Sequence, residues 1–391
     1  MWENLLLLIW FSIGIFFVGF SGAYYLYTKK MAKKPWDLKI DEEYEPSVAI
    51  LVPVHNEERT IQLKLRNLSR VNYPAQKIEA IIVNDASTDS TLEEVRKYVA
   101  SNQGLKISVF DNQTHLGKTN CLNLALKSVR ADVIVVSDAD CFWSPDILLK
   151  ALPYLSDSSV GAITARELLL NPQDSWVTRG EQFYDDSVQS IRIGESKIHS
   201  TIFFQGGFAA YKRTLLNEFD HDVDDSGTAL NLVQRNSRTL LIPEIAFYTP
   251  FPTIWKNKIT LKIRRASNLQ QLEAKCLNLL LRRKLVIPKR IAIPQIILHI
   301  FNPLILVALA VVSIFVFIQY PLLFLVLLLA FCSALLIRKI RTTVFEAFQN
   351  NLILLFALGS FFTGKKFKLW KTVQESRTLI TESALKEKNL I

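Results

Sequence analysis

Two aspartates that stand one residue apart, Asp138 and Asp140, follow a run of β-branched residues in the stretch VVSDADCF. On a regular strand, residues i and i+2 point to the same face, which would bring two like charges together. Hard oxygen ligands favour Mg²⁺ or Mn²⁺, and Mg²⁺ commonly joins one or two carboxylates to the phosphates of a substrate. The pair therefore predicts a divalent cation, Mg²⁺ or Mn²⁺, that bridges a diphosphate.

Three apolar runs, 47–54, 78–85 and 131–140, each end in polar residues: PVHNEE, NDASTD and SDAD. Nearly continuous apolar runs of this kind are typical of strands buried on both faces of a parallel sheet. Helical patterns at 59–69, 91–100 and 118–128 lie between them, which indicates βαβ units. Because ligands bind at the carboxyl ends of such strands, the three polar clusters are expected to meet in one crevice.

Long apolar stretches on both sides of the predicted βαβ units indicate that the protein is bound to a membrane. Half of the 391 residues are hydrophobic, and they concentrate at 5–27, 291–317 and 322–337, each about long enough to span a bilayer. Basic clusters at 29–34, 282–290 and 338–341 flank these stretches, so the positive-inside rule predicts that the domain between them is cytoplasmic. The net charge of +10 indicates contact with anionic lipid, and no nucleic-acid-binding module accompanies it.

These features predict five regions. They are an anchor (1–28), a cytoplasmic catalytic domain (45–255), an amphipathic interfacial segment (256–290), two transmembrane helices (291–337) and an interfacial or re-entrant helix with a cytoplasmic tail (338–391). The interfacial segment carries apolar residues at helical spacing, namely Leu269, Leu272, Cys276, Leu279 and Leu280. In the last region, 352–362 is short for a span and has basic residues on its carboxyl side, although a further span is the alternative.

The motifs together resemble the family 2 inverting glycosyltransferases. PVHNEE, VNDASTD, HLGKTNCLNLAL, SDAD, FQGGFAAYKRTLL and DDSGTALNLVQRNSR occur in the order seen in that family. The resemblance implies a GT-A fold, that is, an α/β fold with a mixed, mostly parallel sheet. It also implies a nucleotide-sugar donor, with a UDP-sugar favoured, a divalent cation and inversion at the anomeric carbon.

The resemblance assigns expected roles to individual residues. Those on the donor side are Pro53, His55, Glu57, Asp85, Lys118, Asp138 and Arg264, and Asp85 is expected to recognise the nucleotide base. Asp138 and Asp140 match the metal-binding DxD motif, with Asp140 the direct ligand, and Gln205, Gly206 and Gly207 match a loop beside the acceptor. The expected catalytic residues are Asp225, supported by Asp224, and Arg265. His221 is the rival base, because the unperturbed pKa of histidine lies nearer neutrality.

The chain departs from the processive synthases of the family. Lys262 and Ala266 stand where those enzymes carry Gln and Trp. Arg264 and Arg265 could stabilise the leaving diphosphate or meet lipid phosphates. Asn236 replaces a usual glycine and tolerates left-handed backbone geometry.

The expected activity is the transfer of one sugar to a lipid or lipid-linked saccharide in the membrane. The alternatives are a processive polysaccharide synthase and a non-catalytic protein that binds nucleotide-sugars. Oligomeric state has no sequence signal.

Overall fold

The computed structural model describes residues 2–102, 104–362 and 374–391. In the described residues one sheet of eight strands runs in the spatial order β3-β2-β1-β4-β7-β6-β8-β5. The strands are β1 (Val48–Val54), β2 (Ile78–Asp85), β3 (Lys106–Asn112), β4 (Val133–Val136), β5 (Phe142–Trp143), β6 (Val160–Leu169), β7 (Ala209–Lys212) and β8 (Arg238–Thr249).

The described residues also form fourteen α-helices, some of which cover the sheet and some of which are long and apolar. They are α1 (Trp2–Ala32), α2 (Ile61–Ser69), α3 (Thr91–Ser101), α4 (Lys118–Leu126), α5 (Ile147–Ala151), α6 (Trp176–Ile198), α7 (Asp224–Gln234), α8 (Trp255–Leu281), α9 (Lys289–Ile296), α10 (Asn302–Gln319), α11 (Pro321–Leu335), α12 (Arg338–Phe362), α13 (Gln374–Thr378) and α14 (Glu382–Glu387). A π-helical turn, Ile297–Phe301, joins α9 to α10.

Strand β1 lies at the centre of the first half of the sheet, parallel to β2 and β4. Its side chains alternate between two cores: Ile50 and Val52 pack with residues of α2 and α3, and Leu51 packs with residues of α4. Every residue of β1 is buried, as a strand covered by helices on both faces requires. The predicted α/β architecture with a mixed, mostly parallel sheet is confirmed.

Two details of the predicted sheet were wrong. Strand β3 was not predicted, because KISVFDN is a half-exposed edge strand without a continuous apolar run. The third predicted strand, 131–140, is shortened to β4, which ends at Val136. Asp138 and Asp140 therefore stand in the turn that follows the strand, not on one face of it.

Two helical stretches of the described chain are long and apolar enough to cross a membrane, Asn4–Ala32 and Lys289–Gln319. They contact each other through a hydrogen bond of 2.7 Å from Trp10 Nε1 to Ser313 Oγ. The apolar stretch at 322–337 does not form a straight span. It belongs to a pair, Pro321–Leu335 and Arg338–Gly359, that bends by 111° and forms either a broken span or a re-entrant loop.

Helices α8 and α12 pack against each other, and both contact the second of these apolar stretches. The apolar face that was predicted for the interfacial segment is covered by protein, since Leu272 and Cys276 are buried in a cluster with Phe203 and Ile291. The basic stretch at 364–371, which supported the prediction of a re-entrant helix, lies outside the described residues.

Candidate active site

The carboxyl ends of β2, β1 and β4 meet at one edge of the sheet, because the three strands are parallel neighbours. Pro53 lies inside β1, opposite Val83 of β2. His55 follows β1, and its Nδ1 lies 2.7 Å from the backbone oxygen of Asp85 at the end of β2. This contact joins the ends of β1 and β2, two of the three strand ends that the sequence predicted to share a crevice.

The loop before α4 binds the Asp85 carboxylate. The two oxygens of this carboxylate accept hydrogen bonds from the backbone N–H groups of Leu116 (2.6 Å) and Gly117 (2.8 Å). Gly117 has a positive φ of 84°, a conformation that favours glycine, and this turn aims both N–H groups at the carboxylate. His115 stacks on His55, with ring centroids 4.2 Å apart. Asp85 therefore anchors the loop that presents Lys118.

Lys118 links the aspartate pair to the expected base. As the first residue of α4, it places its Nζ 2.8 Å from Asp138 Oδ1 and 3.0 Å from Asp225 Oδ2. Burial alone would lower the pKa of Lys118, but the two carboxylates raise it well above its usual value, so the side chain is charged. Burial raises the pKa of Asp138, and the charge of Lys118 opposes that shift.

Arg377, from the carboxyl-terminal part of the chain, neutralises the second aspartate. Its guanidinium pairs with Asp140 and with the buried Glu57, to which Nε donates at 3.1 Å. Burial would raise the pKa of Asp140, but the Arg377 charge lowers it below its ordinary value. The two aspartates are thus tolerated side by side because each has its own cationic partner.

The aspartate pair fits a divalent cation. Among the described residues, the cluster of His, Cys, Asp and Glu able to hold a metal is Asp138, Asp140 and Cys141, whose ligand atoms lie within 4.8 Å of one another. Burial raises the pKa of the Cys141 thiol well above its usual value. The other two donors are carboxylates, whose oxygens suit Mg²⁺ or Mn²⁺.

Gly206 and Gly207 allow a loop to press against this pair. The Gly206 carbonyl accepts a 2.7 Å hydrogen bond from Asp138 N, and a Cβ at Gly206 would lie 2.2 Å from Lys118 Nζ. A Cβ at Gly207 would lie 2.2 Å from the ring of Phe247. Gly206, expected beside the acceptor, thus contacts Asp138 directly, and a larger side chain at either glycine would displace its neighbours.

Asp224 and Asp225 begin α7, across the crevice from the strand ends. Asp224 accepts a 2.6 Å hydrogen bond from Thr119, and its positive φ of 46° turns the chain into the helix. Asp225 Oδ1 is buried and has no hydrogen-bond partner among the described residues, so it is available to a substrate. His221, the rival base, is exposed, and its ring contacts Asn123 on the outer surface.

Gln205 and Arg265 both bind the carboxylate of Glu167, a residue that was not predicted from the sequence. Glu167, in β6, accepts from Gln205 Nε2 at 2.5 Å and from Arg265 at 3.1 Å. Burial and the charge of Arg265 lower the pKa of Arg264, while the charges of Asp138 and Asp140 oppose that shift. Arg265 thus lies beside the loop that carries Gln205, because both side chains bind Glu167.

Two further residues of the site were missed. Lys64 is fully buried and donates to Ser137 Oγ and Cys141 O, both at 2.6 Å, so it holds the backbone of the SDAD turn. It shares the apolar face of α2 with Ile61 and Leu65, and a lysine on such a face was the available signal. Arg377 had no local signal, because its partner Asp140 is 237 positions earlier.

Comparison with known proteins agrees with this geometry. The family model "Glycosyl transferase family 2" matches residues 49–219, which include β1 to β4 and the SDAD turn. Residues 49–219 are a family 2 glycosyltransferase domain.

Curated relatives share part of their length with the chain. The beta-monoglucosyldiacylglycerol synthase of Nostoc sp. (strain PCC 7120) is 32% identical over 136 residues, 35% of this chain and 29% of the relative. The UDP-forming cellulose synthase catalytic subunit of Xanthomonas axonopodis pv. citri is 26% identical over 287 residues, 69% of this chain and 37% of the relative. The chain therefore spans less than half the length of either protein.

A solved structure resembles the chain beyond the family 2 domain. A mannosyltransferase from Pyrobaculum calidifontis, in complex with GDP-Man and Mn²⁺, superposes with a TM-score of 0.77 at 28% identity. The superposition covers 92% of this chain and 100% of that one. The GT-A fold predicted from the motifs is thereby confirmed.

Proposed function

We propose that the protein is a membrane-bound inverting glycosyltransferase. It moves one sugar from a nucleotide diphosphate-sugar to a lipid or lipid-linked saccharide in the membrane, by a single metal-assisted displacement. The observation that carries the proposal is the convergence of the Asp138 and Asp140 pair, Lys118 and Asp225 at one edge of the sheet. The synthase of a glucosyldiacylglycerol among the relatives supports a lipid acceptor.

The residues divide the chemistry between them. Asp138 and Asp140 would hold Mg²⁺ or Mn²⁺, which supplies neutralisation of charge on the departing nucleoside diphosphate. Asp225 Oδ1 takes the proton of the acceptor hydroxyl, while Oδ2 stays fixed by Lys118. Arg264 adds positive charge on the diphosphate side. Attack from the Asp225 side, opposite the departing group, gives inversion.

We assign the binding site for the nucleotide base of the donor to the edge of the sheet formed by His55, Glu57 and Asp85. Two nucleotides have support among relatives: the cellulose synthase subunit is UDP-forming, and the Pyrobaculum mannosyltransferase was solved with GDP-Man. The sequence expectation favoured a UDP-sugar, and the likeness over 92% of the chain adds GDP-Man as an equal candidate.

The catalytic domain is assigned to the cytoplasmic side of the membrane. The basic clusters that follow α1 and precede α9 flank the two stretches able to span a bilayer. By the positive-inside rule, both clusters and the domain between them stay in the cytoplasm.

Processive polymer synthesis is the second candidate, supported by the match to the cellulose synthase subunit. Two positions weigh against it. Ala266, where the processive enzymes carry Trp, packs against Ile353 and Ala357 of α12, and Lys262, in place of their Gln, pairs with Glu181. Neither side chain is free to support a sugar chain at the site.

The test uses membranes that contain the full chain, Mn²⁺, and a panel of labelled UDP- and GDP-sugars. Label in the organic extract is the expected result, since the proposed product carries a lipid. Label in high polymer would support the processive synthase, and label in neither fraction with any donor would contradict both. Membranes that contain the Asp225→Asn variant serve as the matched control.

A further inference from the structure

The carboxyl-terminal residues 374–391 dock firmly on the catalytic domain. Leu385, Leu390 and Ile391 are buried in a cluster with Phe142 and Leu170 of the domain. The Leu390 carbonyl also accepts a 2.7 Å hydrogen bond from Asn67 Nδ2 in α2. Arg66 of that helix binds Glu382, and Arg70, directly after it, binds Asn389. This segment is therefore part of the wall of the site.

Helix α13 is fixed so that Arg377 points into the site. Glu375, on the same helix, accepts hydrogen bonds at 2.6–3.1 Å from Thr253 and Ile254, just before α8, and from Asn257 in its first turn. Arg377 itself is buried, and its guanidinium lies between Glu57 and Asp140. Its position is thus set by contacts on both sides and by the two carboxylates it bridges.

The position of Arg377 conflicts with that of a cation on the same carboxylate. Asp140 Oδ2 is occupied by the guanidinium, and Asp138 Oδ1 is occupied by Lys118. A divalent cation that bound both aspartates would stand within a few ångströms of two positive side chains, and that repulsion weakens its binding. Arg377 thus occupies one of the two oxygens of the expected direct ligand, Asp140.

We propose that Arg377 acts as the counter-charge of Asp140 and competes with a divalent cation for this carboxylate. The carboxyl-terminal segment thereby restrains cation binding until the donor diphosphate supplies additional negative charge. This inference rests on the proposed assignment of the cation to Asp138 and Asp140. A second possibility, that Arg377 positions Asp140 for the metal, predicts a change of opposite sign.

The experiment measures Mn²⁺ binding to the purified full-length protein in detergent, without nucleotide, by electron paramagnetic resonance of free Mn²⁺. Arg377→Gln removes the competing charge, so we expect its affinity for Mn²⁺ to rise by about tenfold or more. Arg377→Lys keeps a positive charge and is expected to stay near the wild type. Arg66→Gln is the matched control, because it removes an arginine contact of the same docked segment outside the site.

Each outcome bears on the inference. Because Arg377→Gln leaves the buried Glu57 without its partner, the double variant Glu57→Gln/Arg377→Gln serves if the single variant does not fold, and it should show the same gain. Unchanged or weaker Mn²⁺ binding by these variants would overturn the inference while leaving the proposed function standing if the wild type binds Mn²⁺. Failure of the wild type and every variant to bind Mn²⁺ would overturn both.

Discussion

The donor edge and the membrane-side helices both bury charges, but they use them differently. At the donor edge Asp225 keeps one buried carboxylate oxygen without a partner among the described residues. On the membrane side Lys258 and Lys262 pair with Glu181 and Glu346 at 2.8–3.2 Å, and all four side chains are almost fully buried. A carboxylate with unused capacity can serve a substrate, whereas charges that satisfy one another hold helices together.

This difference has an energetic consequence. Removing one member of a buried ion pair leaves an uncompensated charge and destabilises the fold. At the donor edge, neutralising Asp225 or Asp140 still leaves Lys118 paired with Asp138 and Arg377 paired with Glu57, so the fold loses less stability. Substitutions in the two regions should therefore separate activity from stability, and the predictions below are ordered by the size of the effect.

The largest effect is expected for Asp140→Ala. Loss of this ligand removes neutralisation of the leaving diphosphate, which contributes several kcal/mol, so transfer should fall by about 10³-fold or more. Initial rates with saturating donor and Mn²⁺ measure it. The matched control is Asp146→Asn, six residues along the chain, where the carboxylate pairs with Lys150 at the surface. Undiminished wild-type turnover in EDTA would contradict the prediction.

The next effect concerns Asp225→Asn. The amide can still accept from Lys118 but cannot take a proton, so turnover should fall by about 10²–10⁴-fold. The donor dissociation constant should change little, since the substitution preserves size and the contact with Lys118. Calorimetry for donor binding and initial rates for turnover, on the same preparation, separate the two quantities.

Two neighbours of Asp225 provide the controls for that experiment. His221→Ala should reduce turnover far less, because its ring is exposed beside Asn123. Asp222→Asn tests the loss of a carboxylate in the same loop that pairs with Lys275 instead of the site. If His221→Ala is as damaging as Asp225→Asn, the base has been assigned to the wrong residue.

The same contrast explains which parts of the molecule sequence could predict. Strands β1 and β2 and the polar residues that follow them were visible, because a buried parallel strand is a continuous apolar run and its site residues come directly after it. Glu167 and Arg377 could not be found this way, since each meets its partners only through the fold. The ion cluster of α6, α8 and α12 was missed for the same reason: Lys258 and Lys262 belong to the stretch 256–290, which was predicted only as an amphipathic interfacial segment.

Glu181→Gln tests the membrane-side cluster. Glu181 binds both Lys258 and Lys262, so neutralising it leaves two buried ammonium groups with one carboxylate fewer. The free energy of unfolding should fall by about 3–5 kcal/mol, while donor affinity of the folded protein stays unchanged. Thermal unfolding in detergent and donor calorimetry measure the two properties.

The matched control for that cluster is an exposed pair on the donor half of the sheet. Lys106→Gln removes the 2.7 Å ion pair with Glu79, in which the lysine side chain is 71% exposed. Such a pair contributes about 1 kcal/mol at most. Equal shifts in unfolding temperature for Glu181→Gln and Lys106→Gln would show that burial does not distinguish the two regions.

The smallest effect is a pH dependence at the junction of α1, α6 and α9. Glu195 is fully buried and accepts from Tyr24 at 2.6 Å and Thr201 at 3.1 Å, and burial raises its pKa to about 7. The folded protein holds the proton of Glu195 more tightly than the unfolded chain does. The stability that protonated Glu195 contributes is therefore fully present at pH values below the ordinary glutamate pKa. It is lost as the pH rises through about 7.

Glu195→Gln removes that titration and keeps an oxygen that can accept from Tyr24. The fall in unfolding temperature between about pH 5 and pH 8 should therefore be smaller in this variant than in the wild type. Glu244→Gln, at an exposed carboxylate bonded to Tyr154, should reproduce the wild-type profile. Parallel profiles for Glu195→Gln and the wild type would place the pH sensitivity elsewhere. A flattened profile would identify the α1 junction as a region where ionisation of a buried carboxylate weakens the fold instead of serving catalysis.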